Sequence, residues 1–190
     1  GPIANTELFM LPWLILARLA FLEAVRGGGR GAVPVLIAGA FVGVAACFKQ
    51  VAAVDAVLFV LLFPLLATAE RRAWRVARFA GWAAVGGLAV WLPVLAWFHL
   101  RGGLPALLDA VFLHNLAYAG GLSAADRLRN LLANGAALRQ SAGAACALAG
   151  VGLVFLARDR ERWRALYLAG WLVASAIGVS ASGYYFVHYF

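Results

Sequence analysis

The sequence predicts an all-α fold: a polytopic membrane bundle of about six transmembrane helices with an interfacial helical loop on its outer face. Three observations predict it. Of 190 residues, 65% are hydrophobic and 13% charged, against ~45–50% apolar and ~25% charged in an ordinary soluble domain. Apolar runs of bilayer length, about 20 residues, recur along almost the whole chain. Between them arginines cluster at Arg26 and Arg30, at Arg71, Arg72, Arg75 and Arg78, and at Arg158, Arg160, Arg162 and Arg164, as cytoplasmic loops do under the positive-inside rule. The stretch 101–139 is too short to build its own core. The chain therefore reads as one transmembrane domain over 1–190 with 101–139 as an outer loop within it.

The spans follow in order. The first covers about 7–25, with Asn5 and Thr6 as caps and Pro12 tolerated because a membrane helix re-satisfies the freed carbonyl locally. Arg26 to Arg30, with three glycines between, forms the first loop. The second span, 33–48, carries Gly39 and Gly43 in small-xxx-small spacing, which permits close helix approach. Lys49-Gln50 interrupts the apolar sequence, and the third span, 51–69, carries Asp55 in its first turn. The fourth, 79–98, closes on Trp91, Pro93 and Trp97, an aromatic belt. In the loop, Pro105 suits a first helical turn, and Leu104, Leu107, Leu108, Val111 and Phe112 recur at helical spacing. This predicts an interfacial helix ending at Gly120-Gly121. Ser123 and Asp126 have capping-box spacing for a second loop helix. The fifth span lies within 138–157 and the sixth covers 165–185.

With the arginine clusters inside, Glu7, Lys49, the 101–139 loop and His188 all fall outside. Every unusual polar residue then converges on one face. The net charge of +8 is thus topological and does not point to nucleic acid. Cys47 and Cys146 sit within apolar runs, which argues against a disulfide framework or a metal site. No internal repeat supports an inverted-repeat transporter. The chain opens on Gly1 without a basic leader and stops within the aromatic run 184–190, so it reads as a fragment, incomplete at both ends.

The residues able to carry chemistry are few. Glu7 stands where a helix N-terminus supplies partial positive charge, although the same residue also reads as a helix-start acid facing water. Lys49 is the sole lysine beside 15 arginines, at an end where positive-inside would not place it. A boundary ionisable group invites a functional role; the alternatives are snorkelling to headgroups or pairing with Asp55. His114 and Asn115, with Tyr118 one turn later, offer imidazole, amide and phenol to a phosphate or sugar, or simply occupy an interfacial connector. His188 and Tyr189 equally suit an aromatic belt. His99 has no companion at metal-ligand spacing. No P-loop, dinucleotide fingerprint, nucleophile elbow or His-Glu-x-x-His occurs. What remains is an outer cluster of one carboxylate, one lysine, Arg101, histidines, an amide and tyrosines. It suits an anionic lipid headgroup and a polyhydroxylated group.

Asn5-Thr6-Glu7-Leu8-Phe9-Met10, Gly43 to Gln50, Trp91-Leu92-Pro93, Phe112-Leu113-His114-Asn115 and Gly183 to Phe190 occur in this order. The sequence so resembles the bacterial polyprenyl-phosphate-dependent glycosyltransferases of the GT-C fold. The closest group is the glycosyltransferase family 39 type, related to protein O-mannosyltransferases and lipid A aminoarabinose transferases. The resemblance implies a multi-pass protein of the bacterial inner membrane. It implies sugar transfer from a polyprenyl-phosphate donor to a lipid, glycan or protein acceptor at the outer face, among membrane lipids and without nucleic acid. It places Glu7 at the family's second acidic position, an accessory role, with the main base expected upstream of Gly1, so this fragment alone is expected to be inactive. It also implies that Lys49 lies near the lipid phosphate, that His114 and Asn115 lie over the cavity, and that His188 belongs to the closing aromatic motif. Arg101, Tyr118 and Tyr189 complete the expected substrate-binding set. No cofactor is demanded, and a divalent cation is compatible with the chemistry. The alternative is a multi-spanning transporter or lipid flippase with an outer vestibule, which predicts polar residues continuing through the bilayer.

Overall fold

The computed structural model describes residues 6–28, 31–66, 72–158 and 162–180. Among them every regular element is helical, with no strand. Two compact units are present, 1–107 and 108–190.

In the first unit, α1 (Thr6–Arg26), α2 (Ala32–Phe48), α3 (Val54–Leu66) and α4 (Arg72–Leu100) run alternately up and down. The ring contacts fix these directions. Phe9 stacks on Phe48 and Trp13 packs on Phe41, so α1 and α2 are antiparallel. Phe21 stacks on Phe59 at 4.5 Å and Arg18 meets Asp55, so α1 and α3 are parallel. Phe63 stacks on Phe79 at 4.5 Å, and Phe21 meets the same ring edge-on at 5.8 Å. These four phenylalanines are buried, and each such ring pair contributes about 0.5–1.5 kcal/mol beyond area burial.

Small residues set the approach of α2 to α4. A Cβ on Gly39 would overlap the Ala83 carbonyl oxygen, and one on Gly86 would overlap the Leu36 carbonyl oxygen. One on Gly43 would lie 3.1 Å from the Gly87 carbonyl oxygen. The expected close approach is therefore made, and its partner is α4. Such contact is gained by backbone proximity between small residues.

Helix ends follow sequence punctuation. Gly28, at φ 59°, takes the left-handed position after α1 and donates to the Val25 carbonyl. Gly102, at φ 69°, does the same after α4: its N–H bonds His99 at 3.0 Å while Gly103 bonds Phe98 at 2.8 Å, the Schellman arrangement. Pro12, Pro64 and Pro93 all lie within helices.

Beyond Gly103 come α5 (Leu104–Leu108), a π-helical turn over Asp109–Leu113 and α6 (His114–Gly120). Pro105 lies in the first turn and Gly120 ends the segment, as expected. In the second unit, α7 (Ala124–Arg158) and α8 (Arg162–Ser180) pack together. Ser123 caps α7: the Asp126 N–H donates to its Oγ at 3.1 Å, and that hydroxyl donates to the Asp126 carboxylate at 2.6 Å. One expectation is corrected here. The second loop helix and the fifth apolar run are a single 35-residue helix, because no proline interrupts 124–158 and neither Gly135 nor Gly143 needs a left-handed backbone.

By length and composition two helical segments, Leu8–Arg26 and Ala73–Leu100, suffice to cross a membrane. Ala32–Phe48, Gln50–Leu66 and Gly143–Arg158 are shorter apolar helices. At 1.5 Å per residue, the 17-residue α2 spans about 26 Å against a hydrocarbon core of about 30 Å.

Candidate functional site

Lys49 forms the break between α2 and α3. Its backbone is extended, at φ −154° and ψ 120°. Its N–H closes α2 on Ala45 at 3.1 Å, and its carbonyl accepts from Ala52 at 3.0 Å to open a 3-10 turn over Gln50–Ala53. The chain thus reverses in a few residues with both backbone groups satisfied, and the half-buried Lys49 stands at the tip.

Beside this break lies an apolar groove of about 410 Å³. Gly39, Gly43, Ala83 and Gly87 line it where α2 and α4 meet, and Val57 and Leu61 line it from α3. Volumes of about 300–1,000 Å³ are typical of ligand sites. Ala46 and Ala53, which flank Lys49 in the chain, also line the groove, as does Trp91. The lysine thus lies in the chain between two groove-lining residues without itself lining the groove, and a cation at the mouth of an apolar trough suits an amphiphile with an anionic head.

The other expected residues of this unit lie toward the same end. Glu7 falls in the first turn of α1, two residues before the Phe9 ring that stacks on Phe48 at 6.1 Å; its side chain is outside the described set. Arg101 follows α4, with its guanidinium over the Trp97 ring at 5.6 Å. Trp91 packs against Leu14, Ala45, Ala46 and Ala52, and the ten residues from there to Arg101 add about 15 Å of helical rise. Arg101 is thus farther along the axis than Lys49. At the opposite end of the four helices stand Arg26, Arg75 and Arg78.

His114, Asn115 and Tyr118 belong to the second unit, on α6. The His114 imidazole is exposed, and its backbone N–H bonds the Asp109 carbonyl to close the π turn. Only the backbone is described for Asn115 and Tyr118. His188 and Tyr189 lie outside the described residues. Among the described residues no group of three metal-ligating side chains occurs. Asp126, at the start of α7, has its carboxyl held below the usual aspartate range, first by the Ser123 hydroxyl hydrogen bond and further by the charge of Arg129.

The largest departure from the sequence reading is Arg18. Its Nη2 and Nε both donate to Asp55 Oδ1, at 2.8 and 3.1 Å. The two residues are 6% and 5% exposed, and among the described residues they are the buried charged pair. Asp55 therefore serves Arg18 rather than Lys49. The expected convergence of every unusual polar residue on one face also fails, since Arg18 lies near the middle of Leu8–Arg26. The available signal was two opposite charges, each within an apolar run, because isolated charges there seek one another.

No protein-family model, curated protein or solved structure matches the chain.

Proposed function

We propose that this chain is the membrane part of a glycosyltransferase that moves a sugar from a polyprenyl-phosphate donor to an acceptor at the outer membrane face. In this reading six helical segments cross the bilayer, with the arginine clusters inside and the Lys49 end outside. The observation that carries it is Lys49 at the tip of a helix break beside an apolar groove, at the end opposite Arg26, Arg75 and Arg78. Large apolar side chains such as Leu8, Leu19, Leu61, Leu65 and Leu88 are exposed. Such a surface favours lipid over water.

The chemistry follows from the donor. Its leaving group is a phosphate, so the protein must neutralise charge that develops as the glycosidic C–O bond breaks. Lys49 takes that role beside the groove, which accepts the prenyl chain, and Arg101, farther out past the end of α4, adds positive charge along the approach of the anionic head. Glu7, at the start of α1, orients the acceptor hydroxyl. The resemblance in sequence implies that His114 and Asn115 lie over the cavity and that His188 belongs to the closing aromatic motif, and Tyr118 and Tyr189 complete the expected substrate-binding set.

A lipid transporter is the second reading, and one observation favours it. The buried Arg18–Asp55 pair sits at mid-span, where a transport path would require polar groups. The two readings separate in one assay of the full-length protein in proteoliposomes, supplied with a prenyl-phosphate sugar and a hydroxyl acceptor. The transferase forms glycosylated acceptor and Lys49→Ala lowers its rate with expression intact. Movement of the lipid between leaflets without glycosylated product would replace the transferase by the transporter.

A further inference from the structure

We propose that the Arg18–Asp55 ion pair is a register lock that positions Lys49 for a prenyl phosphate. This rests on the reading of Lys49 as the donor-phosphate cation.

The connection from the pair to Lys49 is short. Asp55 is the second residue of α3, and only the 3-10 turn Gln50–Ala53 and Val54 separate it from Lys49. The Ala52 N–H to Lys49 carbonyl bond makes that connection stiff. Holding Asp55 therefore holds the Lys49 peptide. Arg18 does so from α1, whose contact with α3 is slender. Besides the ion pair, the Phe21–Phe59 stack joins these two helices. A flat ring stack, at 7° between planes, permits sliding, whereas a guanidinium giving two donors to one carboxylate oxygen does not. A slip of one helical turn, about 5.4 Å, would separate the charges.

Stability alone is a poor account of such a pair. Well-packed apolar residues in its place are often neutral or stabilising, and fixing register is the best-attested use of a buried polar contact. The pair acts through Lys49 and is a positioning pair.

The test uses the full-length protein in proteoliposomes with a long-chain prenyl monophosphate as the probe. Four proteins are compared: wild type, Lys49→Ala, the double variant Arg18→Leu/Asp55→Leu, and the triple combination. Spin labels at the exposed positions Leu19 and Leu65, in a background without Cys47 and Cys146, report the α1–α3 register in parallel. A lock predicts a narrow label distance in wild type and a shifted or broadened one in the double variant, at unchanged unfolding temperature. Prenyl-phosphate affinity in the double variant should fall about tenfold to a hundredfold, the scale of losing one hydrogen bond between charged groups. Lys49→Ala should then cost little more, because the cation is already out of place. An unchanged label distance, or a Lys49→Ala loss equal in both backgrounds, overturns the lock. Altered distance with no wild-type affinity for the probe overturns the donor reading, and supports the register device by itself.

Discussion

Gly39→Ala tests the helix contact on which the groove depends. The new Cβ would meet the Ala83 carbonyl oxygen and lie 2.8 Å from its carbonyl carbon and 2.9 Å from its Cα. Carbon atoms at contact sit about 3.5–4.0 Å apart, and the nearer Ala83 oxygen needs a larger shift still, so α2 and α4 must part by more than about 1 Å, which forfeits about half or more of each dispersion well across the seam. Overpacking costs about 1–3 kcal/mol, and the upper end applies because the obstacle is backbone rather than the end of a flexible side chain. Alanine returns about 1 kcal/mol of helix propensity. The net loss is therefore about 2 kcal/mol. Gly81→Ala is the control: its Cβ meets nothing within 4 Å, so it should gain about 0.5–1 kcal/mol. Denaturant unfolding in micelles, followed by tryptophan fluorescence, reads both. A Gly39→Ala protein as stable as Gly81→Ala would refute the close packing of α2 on α4.

Other expectations follow from the same geometry. In a background without native cysteines, an impermeant thiol reagent applied from outside should label Gln50→Cys and spare Gly28→Cys; the reverse pattern would invert the proposed topology. Arg18→Leu alone should cost about 3–5 kcal/mol by stranding the buried Asp55 carboxylate, while Arg18→Leu/Asp55→Leu should recover most of it; equal losses in unfolding experiments would count against an ion pair. Ser123→Ala should remove about 1 kcal/mol of cap stabilisation, seen as faster amide exchange over the first turn of α7. Because the folded Asp126 carboxyl is held below its unfolded value, its contribution is present above about pH 4 and is lost as pH falls through the lower folded value. In acid the wild type should keep the Asp126 N–H to Ser123 hydroxyl bond and lose only the carboxylate's share, so its exchange advantage over Ser123→Ala should narrow without closing; an advantage unchanged by acid would contradict the assignment.

Much of the architecture could be read from the chain because local signals coincide. The first two apolar runs match α1 and α2 within a residue or so of each end, since polar or glycine-rich sequence interrupts them where backbone groups need other partners. Gly39 and Gly43 announced close approach, and Ser123 with Asp126 announced a cap, because both devices are fixed by spacing along one helix. The partner of Gly39 was not legible, since a glycine pattern states that something comes near but not what. The Arg18–Asp55 pair joins residues 37 apart in sequence, whereas proximity in the chain offered only Lys49 as a partner for Asp55. The helical geometry of α3 directs its first turn toward α1, which no local pattern encodes. Nor does composition mark the π turn at Asp109–Leu113, whose residues suit an ordinary helix equally well. Of the expected site, the placement of Glu7, Lys49 and Arg101 toward one end followed from counting helices.

The most direct test of the proposed function is photo-crosslinking of a prenyl monophosphate, carrying a photoreactive group near its phosphate, to the full-length protein in lipid vesicles. The label should be found beside Lys49, on the segment between the groove-lining Ala46 and Ala53, unlabelled prenyl phosphate should compete it away, and Lys49→Ala should lose most of it. Labelling that avoids this groove, or that persists undiminished in Lys49→Ala, would contradict a donor-lipid site at the α2–α3 break.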